Sequence, residues 1–310
     1  MASHVVTALK LNLRSAPDSS KNNVVIVLSQ GMEVTKVGGS PVPGWIEVTA
    51  TIVMMTVRGF ISDKHIAPIG GVTFPQSPPV TAIGALPRAD LGPHANARRN
   101  NRGSWAYRIG EAGQPGLPST HSGGVVAGIA AVIDWLNPGN SAHLRWWPQG
   151  NTTYCNVYSH DAALMMGCYL PRVWWTSSAI SKILAGQTVP VTYGTTVNEM
   201  RANNIFDWLE EYGASFGWLR EPSPDALQMA VNPGRVGIIC AQRTDMNRPG
   251  HIQIVAPEQN GHVAKRVNGV VTQPLQSNAG SRNFTWGQLG TSWWTSSSFR
   301  EFGFWHAAPG

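Results

Sequence analysis

Charge is scarce in this sequence. Only 13% of its 310 residues are Asp, Glu, Lys or Arg, about half the ~25% usual in soluble chains. That excludes a disordered acidic or basic tail and a charge-laced coiled coil. Cysteine is scarcer still: Cys155, Cys168 and Cys240 are the whole complement. An odd, low number argues against a disulfide framework and leaves room for a free thiol with a task. No apolar run approaches the ~20 residues of a membrane-spanning helix. There is no Cys-x2-Cys pair, no HExxH and no Walker loop, so metal and nucleotide chemistry have no motif and no cofactor is expected. Met1-Ala2-Ser3-His4-Val5-Val6 shows no basic stretch leading into an apolar one, so no export signal is expected there.

What is present is unevenly placed. The 33 Gly and 22 Pro predict abundant turns. The net charge is +6, and half of it falls between residues 69 and 104, where Arg88, Arg98, Arg99 and Arg102 face only Asp90. A nucleic-acid reader would carry a basic face on a folded domain, so no nucleic acid is expected as partner. Of the 13 Trp, Trp45 alone precedes residue 105. The chain therefore divides into residues 1–68, a Pro/Gly/Arg linker over 69–104 containing Pro75, Pro78, Pro79, Pro87 and Pro93, and a Trp-rich domain over 105–310.

Residues 5–67 read as five or six short strands, with alternation clearest in Met32–Val37 and Gly44–Val48, and imply a small barrel or sandwich. Leu11-Asn12-Leu13-Arg14-Ser15-Ala16-Pro17, then Gly31, Gly44-Trp45 and Gly59-Phe60-Ile61, resemble the bacterial SH3 domain. The resemblance implies a wall-targeting module. The apolar run Ile52-Val53-Met54-Met55 has no place in that pattern.

Beyond residue 105 the pattern is helical first and β-rich afterwards, an α+β layout. Helices are expected over Val125–Leu136, Asn156–Gly167, Asn198–Gly213 and Asp225–Val231. Strands are expected over Val236–Cys240, His251–Val255 and Val263–Val271, the last around a turn at Asn268-Gly269. Cys168 and Cys240 sit in apolar contexts and read as core. Cys155 differs: it follows the polar loop Gln149–Tyr154 and opens a helix, where the dipole lowers a thiol pKa. A thiolate nucleophile needs a base, and His251, at a loop-to-strand junction after Gly250, is a better candidate than His160, His262 or His306. Gln149 and the Cys155 N–H are candidate oxyanion donors.

Asn151-Thr152-Thr153-Tyr154-Cys155-Asn156-Val157, with Gly250-His251-Ile252-Gln253-Ile254-Val255, resemble bacterial and phage cell-wall cysteine hydrolases of the NlpC and CHAP types, which are papain-like. The resemblance implies Cys155 as nucleophile and His251 as base. It implies a third polar residue on a later strand, Asn278 first, with Glu258 and Gln276 as alternatives. About a hundred residues between nucleophile and base depart from the simpler pattern. Trp146-Trp147 and Trp174-Trp175 flank the Cys155 motif and are candidate cleft walls, and the aromatic tail from Trp286 to Trp305 is a candidate core cover or binding platform.

The expected molecule is multidomain, an all-β SH3-like barrel plus an α+β papain-like cysteine hydrolase domain. Its expected partner is peptidoglycan and its expected place of action the bacterial cell wall, as a housekeeping enzyme, an endolysin of a phage or a secreted effector. The alternatives are a cysteine protease or amidase on another substrate, and a non-catalytic wall-binding protein.

Overall fold

The computed structural model describes residues 3–8, 10–18, 23–29, 32–52, 55–69, 86–259, 261–290 and 292–310. Gly31, Val53-Met54 and the linker prolines Pro75, Pro78 and Pro79 lie outside the described residues. The chain forms two compact units, Met1–Ala82 and Ile83–Gly310.

The first unit is all β. Its strands are β1 (His4–Val6), β2 (Lys10–Arg14), β3 (Val24–Ser29), β4 (Glu33–Gly39), β5 (Trp45–Ile52), β6 (Met55–Ser62) and β7 (Ile66–Pro68). They join antiparallel in the order β3-β2-β6-β5-β4-β1-β7. Among the described residues β3 and β7 are not joined, so the expected barrel is not closed. Alternation along β5 sends Ile46, Val48 and Ala50 into a core shared with Val6, Leu11, Leu13, Leu28, Val34 and Ile61. Glu47, between them, points out and pairs with Arg58 at 2.7 Å. Gly59 has a steric cause: a Cβ there would collide with the Arg14 carbonyl where β2 meets β6.

The second unit begins with a short parallel pair, β8 (Pro93–His94) and β9 (Arg108–Ile109). It continues through α1 (Gly124–Leu136), α2 (Cys155–Met165), β10 (Val173–Trp175), α3 (Ser177–Leu184), β11 (Val197–Glu199), α4 (Ala202–Glu211), β12 (Leu219–Glu221) and α5 (Pro224–Val231). Then come β13 (Val236–Arg243), β14 (His251–Val255), β15 (Lys265–Val267), β16 (Val270–Gln273), β17 (Gln276–Asn278), β18 (Phe284–Gly287) and β19 (Phe299–Ala307). One antiparallel sheet, β12-β19-β13-β14-β17-β18, carries the unit. Its two faces have separate cores. Ile238, Cys240, Ile252 and Ile254 pack with Cys155, Val157 and Tyr158 of α2 and with Ile205 and Leu209 of α4. Ile239, Ala241 and Val255 face the other way, onto Leu227 and Val231 of α5, Trp294 and Phe304. β13 is buried on both faces, which is why its sequence is a continuous apolar run rather than an alternating one.

Three differences from the sequence reading have clear causes. Residues 86–104 belong to the second unit rather than to a tether. Leu86 and Ala89 are buried in its core, Trp175 Nε1 donates to the Pro87 carbonyl at 2.7 Å, and Arg99 pairs with Glu111 and lies 3.8 Å over the Trp135 ring. A segment anchored by isolated contacts shows no periodicity to read. Next, the helix expected from Asn198 starts at Ala202, because Val197–Glu199 pairs with Val173–Trp175 as a strand. Finally, α3 was not expected. It is amphipathic and short, and its N-cap is Thr176, whose hydroxyl accepts from the Ala179 N–H at 3.3 Å.

Candidate active site

Cys155 is the first residue of α2, and Tyr154 at the N-cap offers no side-chain oxygen to the helix. The first N–H groups of α2 are therefore free of a cap. The preceding chain reverses through Gln149–Thr152, whose backbones bond each other at 3.0 Å in both directions around Gly150, a residue with φ 54°. The helix is held from within: Asp161 receives Arg145 Nε at 2.7 Å and Trp146 Nε1 at 2.9 Å, all fully buried or nearly so. On the next turn Tyr158 and Ser277 share a 2.5 Å hydrogen bond between α2 and β17.

The thiol points toward β14. The nearby backbone N–H groups of Ile252, Asn156 and Cys155 itself favour its thiolate. Burial nonetheless pushes the thiol above its ordinary 9.0, and these N–H groups and the Arg172 cation only partly offset that. Cys168 and Cys240 are pushed up by burial as well, the former to about 12. Cys155 lines a cleft.

That cleft has a volume of about 440 Å³. Trp105 and Tyr154, stacked at 4.9 Å, form its aromatic wall. Arg172 and Glu199 form another side, with Arg201, Asn247 and Pro249 at the rim. Arg172 is buried and spent on its neighbours: Nε bonds the Trp105 carbonyl at 2.7 Å, Nη1 the Met200 carbonyl at 2.8 Å, and Nη2 Glu199 at 2.5 Å.

His251 opens β14. Gly250 before it is fixed by space, because a Cβ would strike the Ala241 carbonyl, and the Asn203 side chain of α4 ties the loop by donating to the Arg248 carbonyl at 2.9 Å. In register His251 stands opposite Ala241, on the face away from Ile252. Its ring packs edge-on against Trp293 at 4.6 Å, and Gly280 leaves it room. Asn278 interacts with the ring. Its Nδ2 donates to the Arg282 carbonyl at 2.6 Å, which fixes the amide, and its buried Oδ1 makes no hydrogen bond among the described residues. Burial, and then the Arg243 cation, lower the imidazole from 6.5 to about 4, against the opposing pull of Asn278. The ring is thus neutral across the neutral range.

Thiol and imidazole lie on opposite faces of the start of β14. Among the described residues no hydrogen bond joins them. With a raised thiol and a lowered imidazole, the resting pair is neutral rather than an ion pair. Alkylation of Cys155 by iodoacetamide should therefore keep accelerating past pH 9, measured by peptide mass spectrometry. A plateau reached by pH 6 would show a resting thiolate instead.

The other sequence candidates fall elsewhere. Gln149 is exposed and does not line the cleft. Glu258 lies beyond the far end of β14, bound by Arg266 at 2.6 Å and held down to about 2 by that hydrogen bond first. Gln276 stands opposite Val255, four residues along β14 from His251, and bonds the Pro274 carbonyl. Of the Trp pairs, Trp146 is core and Trp147 is half-buried outside the cleft lining. Trp174 and Trp175 are buried and line a neighbouring groove along α4 with Trp208 and Tyr212.

The chain matches no family model, no curated protein and no solved structure. Trp105, Tyr154, Arg172 and Arg201 were missed in the sequence. Arg172 had a signal, since an arginine inside Leu170-Pro171-Arg172-Val173-Trp174-Trp175 must be buried with partners. Arg201 had none, because its place depends on where α4 starts. Among the described residues no cluster of three His, Cys, Asp or Glu is positioned to hold a metal ion. No helix there is long and apolar enough to cross a membrane.

Proposed function

We propose that this chain is a cysteine hydrolase that cleaves an amide in the stem peptide of peptidoglycan, with residues 1–68 acting as an SH3-like wall-targeting module. The observation that carries the reading is the Cys155 thiol. It sits at an uncapped helix N-terminus in a cleft, beside the start of β14, whose first residue is His251.

The neutral His251 takes the thiol proton as sulfur attacks the amide carbonyl. The N–H groups at the start of α2 stabilise the negative charge that forms on the carbonyl oxygen. His251 then gives its proton to the leaving amine, and water releases the acyl group from Cys155. The register puts the His251 ring on the opposite face of β14 from α2, so this sequence requires the His251 side chain to swing past the end of the strand to reach the thiol. Asn278, next to the ring, is the residue suited to the third role, whereas Glu258 and Gln276 are too far along the sheet. Gln149 is not needed as an oxyanion donor in this arrangement. The wall substrate rests on the two sequence resemblances alone.

The test is product identity. Purified sacculi incubated with the protein should release fragments that carry one new free amine on the stem peptide, seen by mass spectrometry after amine labelling. The unjoined thiol and imidazole also favour a second reading, a wall-binding protein without activity. Sacculi that retain the protein but release nothing would select it.

A further inference from the structure

The Cys155 cleft is polar and its charge is unbalanced. Its charged lining residues are Arg172, Glu199 and Arg201. Arg172 and Glu199 neutralise each other at 2.5 Å, and Glu199 also accepts from the Tyr193 hydroxyl at 2.8 Å. Arg201 is left over. Among the described residues its guanidinium makes no hydrogen bond or ion pair, and it stands exposed at the rim of the cleft that holds the nucleophile.

Its position is set by backbone. Arg201 is extended, with φ −83° and ψ 164°, and its N–H donates to Asn204 Oδ1 at 3.2 Å, which fixes the residue at the entrance to α4. Asn156, next to the nucleophile, donates Nδ2 to the carbonyl of Met200, the residue before Arg201, at 2.8 Å. The start of α2 and the start of α4 are thus tied together. Both first residues, Cys155 and Ala202, line the same cleft. Both helix dipoles present their positive ends to it, which reinforces the field of Arg201.

We infer that Arg201 is a specificity-determining residue that binds a carboxylate carried by the substrate close to the scissile amide. An amide flanked by a free carboxylate, as in an acidic or C-terminal amino-acid residue, is the substrate class that fits. The guanidinium offers a planar fork for two charge-assisted hydrogen bonds, and a neutral carboxamide at the same place forfeits the charge. Arg201 positions substrate and takes no part in proton transfer. The inference rests on the reading of Cys155 as the reactive thiol of this cleft.

The test uses two alkylating agents that differ only in charge, iodoacetate and iodoacetamide, on the full chain. Each thiolate attack forms a sulfur–carbon bond at Cys155 and expels iodide. Rates are taken from peptide mass spectrometry at one pH, and the measured quantity is the ratio of iodoacetate to iodoacetamide rate constants. That ratio should fall about 2- to 5-fold in Arg201→Gln, the range for one solvent-exposed charge pair. Arg201→Lys should lie between the two, and its intermediate value also shows that the fall is not a loss of fold. An equal ratio in wild type and Arg201→Gln overturns the inference. The readout does not require hydrolysis. A ratio that falls while sacculi stay intact therefore keeps the carboxylate site and removes only the hydrolase reading.

Discussion

Cys155→Ala is expected to lower fragment release from sacculi by about 10⁴-fold or more, the scale on which loss of a covalent nucleophile is felt. The substitution removes one sulfur and keeps the Cβ, so α2 has no reason to move. Asp161, Tyr158 and Val157 anchor the helix from below, and none of them touches the thiol's role. The matching controls are Cys168→Ala and Cys240→Ala. Both side chains are buried outside the cleft lining, where Cys168 bonds the Ala308 carbonyl at 3.3 Å and Cys240, behind Cys155, bonds the Ala202 carbonyl at 3.5 Å. They should lose stability but keep most of their activity per folded molecule. Activity that survives in Cys155→Ala, or that falls equally in all three variants, would remove the thiol from the chemistry.

The largest effect on stability is expected from Asp161→Asn. Arg145 is fully buried, and among the described residues Asp161 is its only anionic partner, at 2.7 Å from Nε and 3.2 Å from Nη2. The exchange keeps the shape and removes the charge. It leaves a guanidinium in the core with neutral acceptors only, the Tyr107 carbonyl at 2.9 Å and the one remaining amide oxygen at position 161, with Nη1 already unpartnered among the described residues. Breaking a buried pair from one side costs about 3–5 kcal/mol. Trp146 also loses the charge at the acceptor of its indole N–H. Urea unfolding followed by Trp fluorescence reads this unit almost alone, because only Trp45 of the 13 Trp lies in the other. The double variant Arg145→Met/Asp161→Leu should recover much of the loss, since an apolar pair needs no compensation. A single variant within 1 kcal/mol of wild type would mean that the buried pair does not anchor α2.

Much of the second unit was legible because its signals are local. The helix stop at Asn137-Pro138-Gly139 appears as Asn137 with φ 40°, and the turn at Asn268-Gly269 as two residues with φ 50° and 82°. The strand His251–Val255 was read at its observed bounds. The thiol at a helix start was legible for the same reason. What the sequence could not show is which face of β14 each residue takes relative to α2. Alternation sets His251 against Trp293, Gly280 and Asn278, and only the register of β13, β14 and β17 reveals it. The cleft walls were illegible too. Tryptophans near Cys155 in sequence, such as Trp146, went to the core, while Trp105 arrived from 50 residues away to stack on Tyr154. Residues 86–104 looked like a tether because their anchors are single residues, Ala89 to Tyr169 and Arg99 to Glu111, spread without a period.

The most direct measurement is the mass of the protein caught during turnover. Sacculi mixed with the protein and quenched in acid within the first turnovers should yield a fraction of chains heavier by one acyl fragment of the stem peptide. The added mass should map to the peptide containing Cys155, and hydroxylamine should remove it, as expected of a thioester. Fragment release without any such adduct, or an adduct on a residue other than Cys155, would contradict the account.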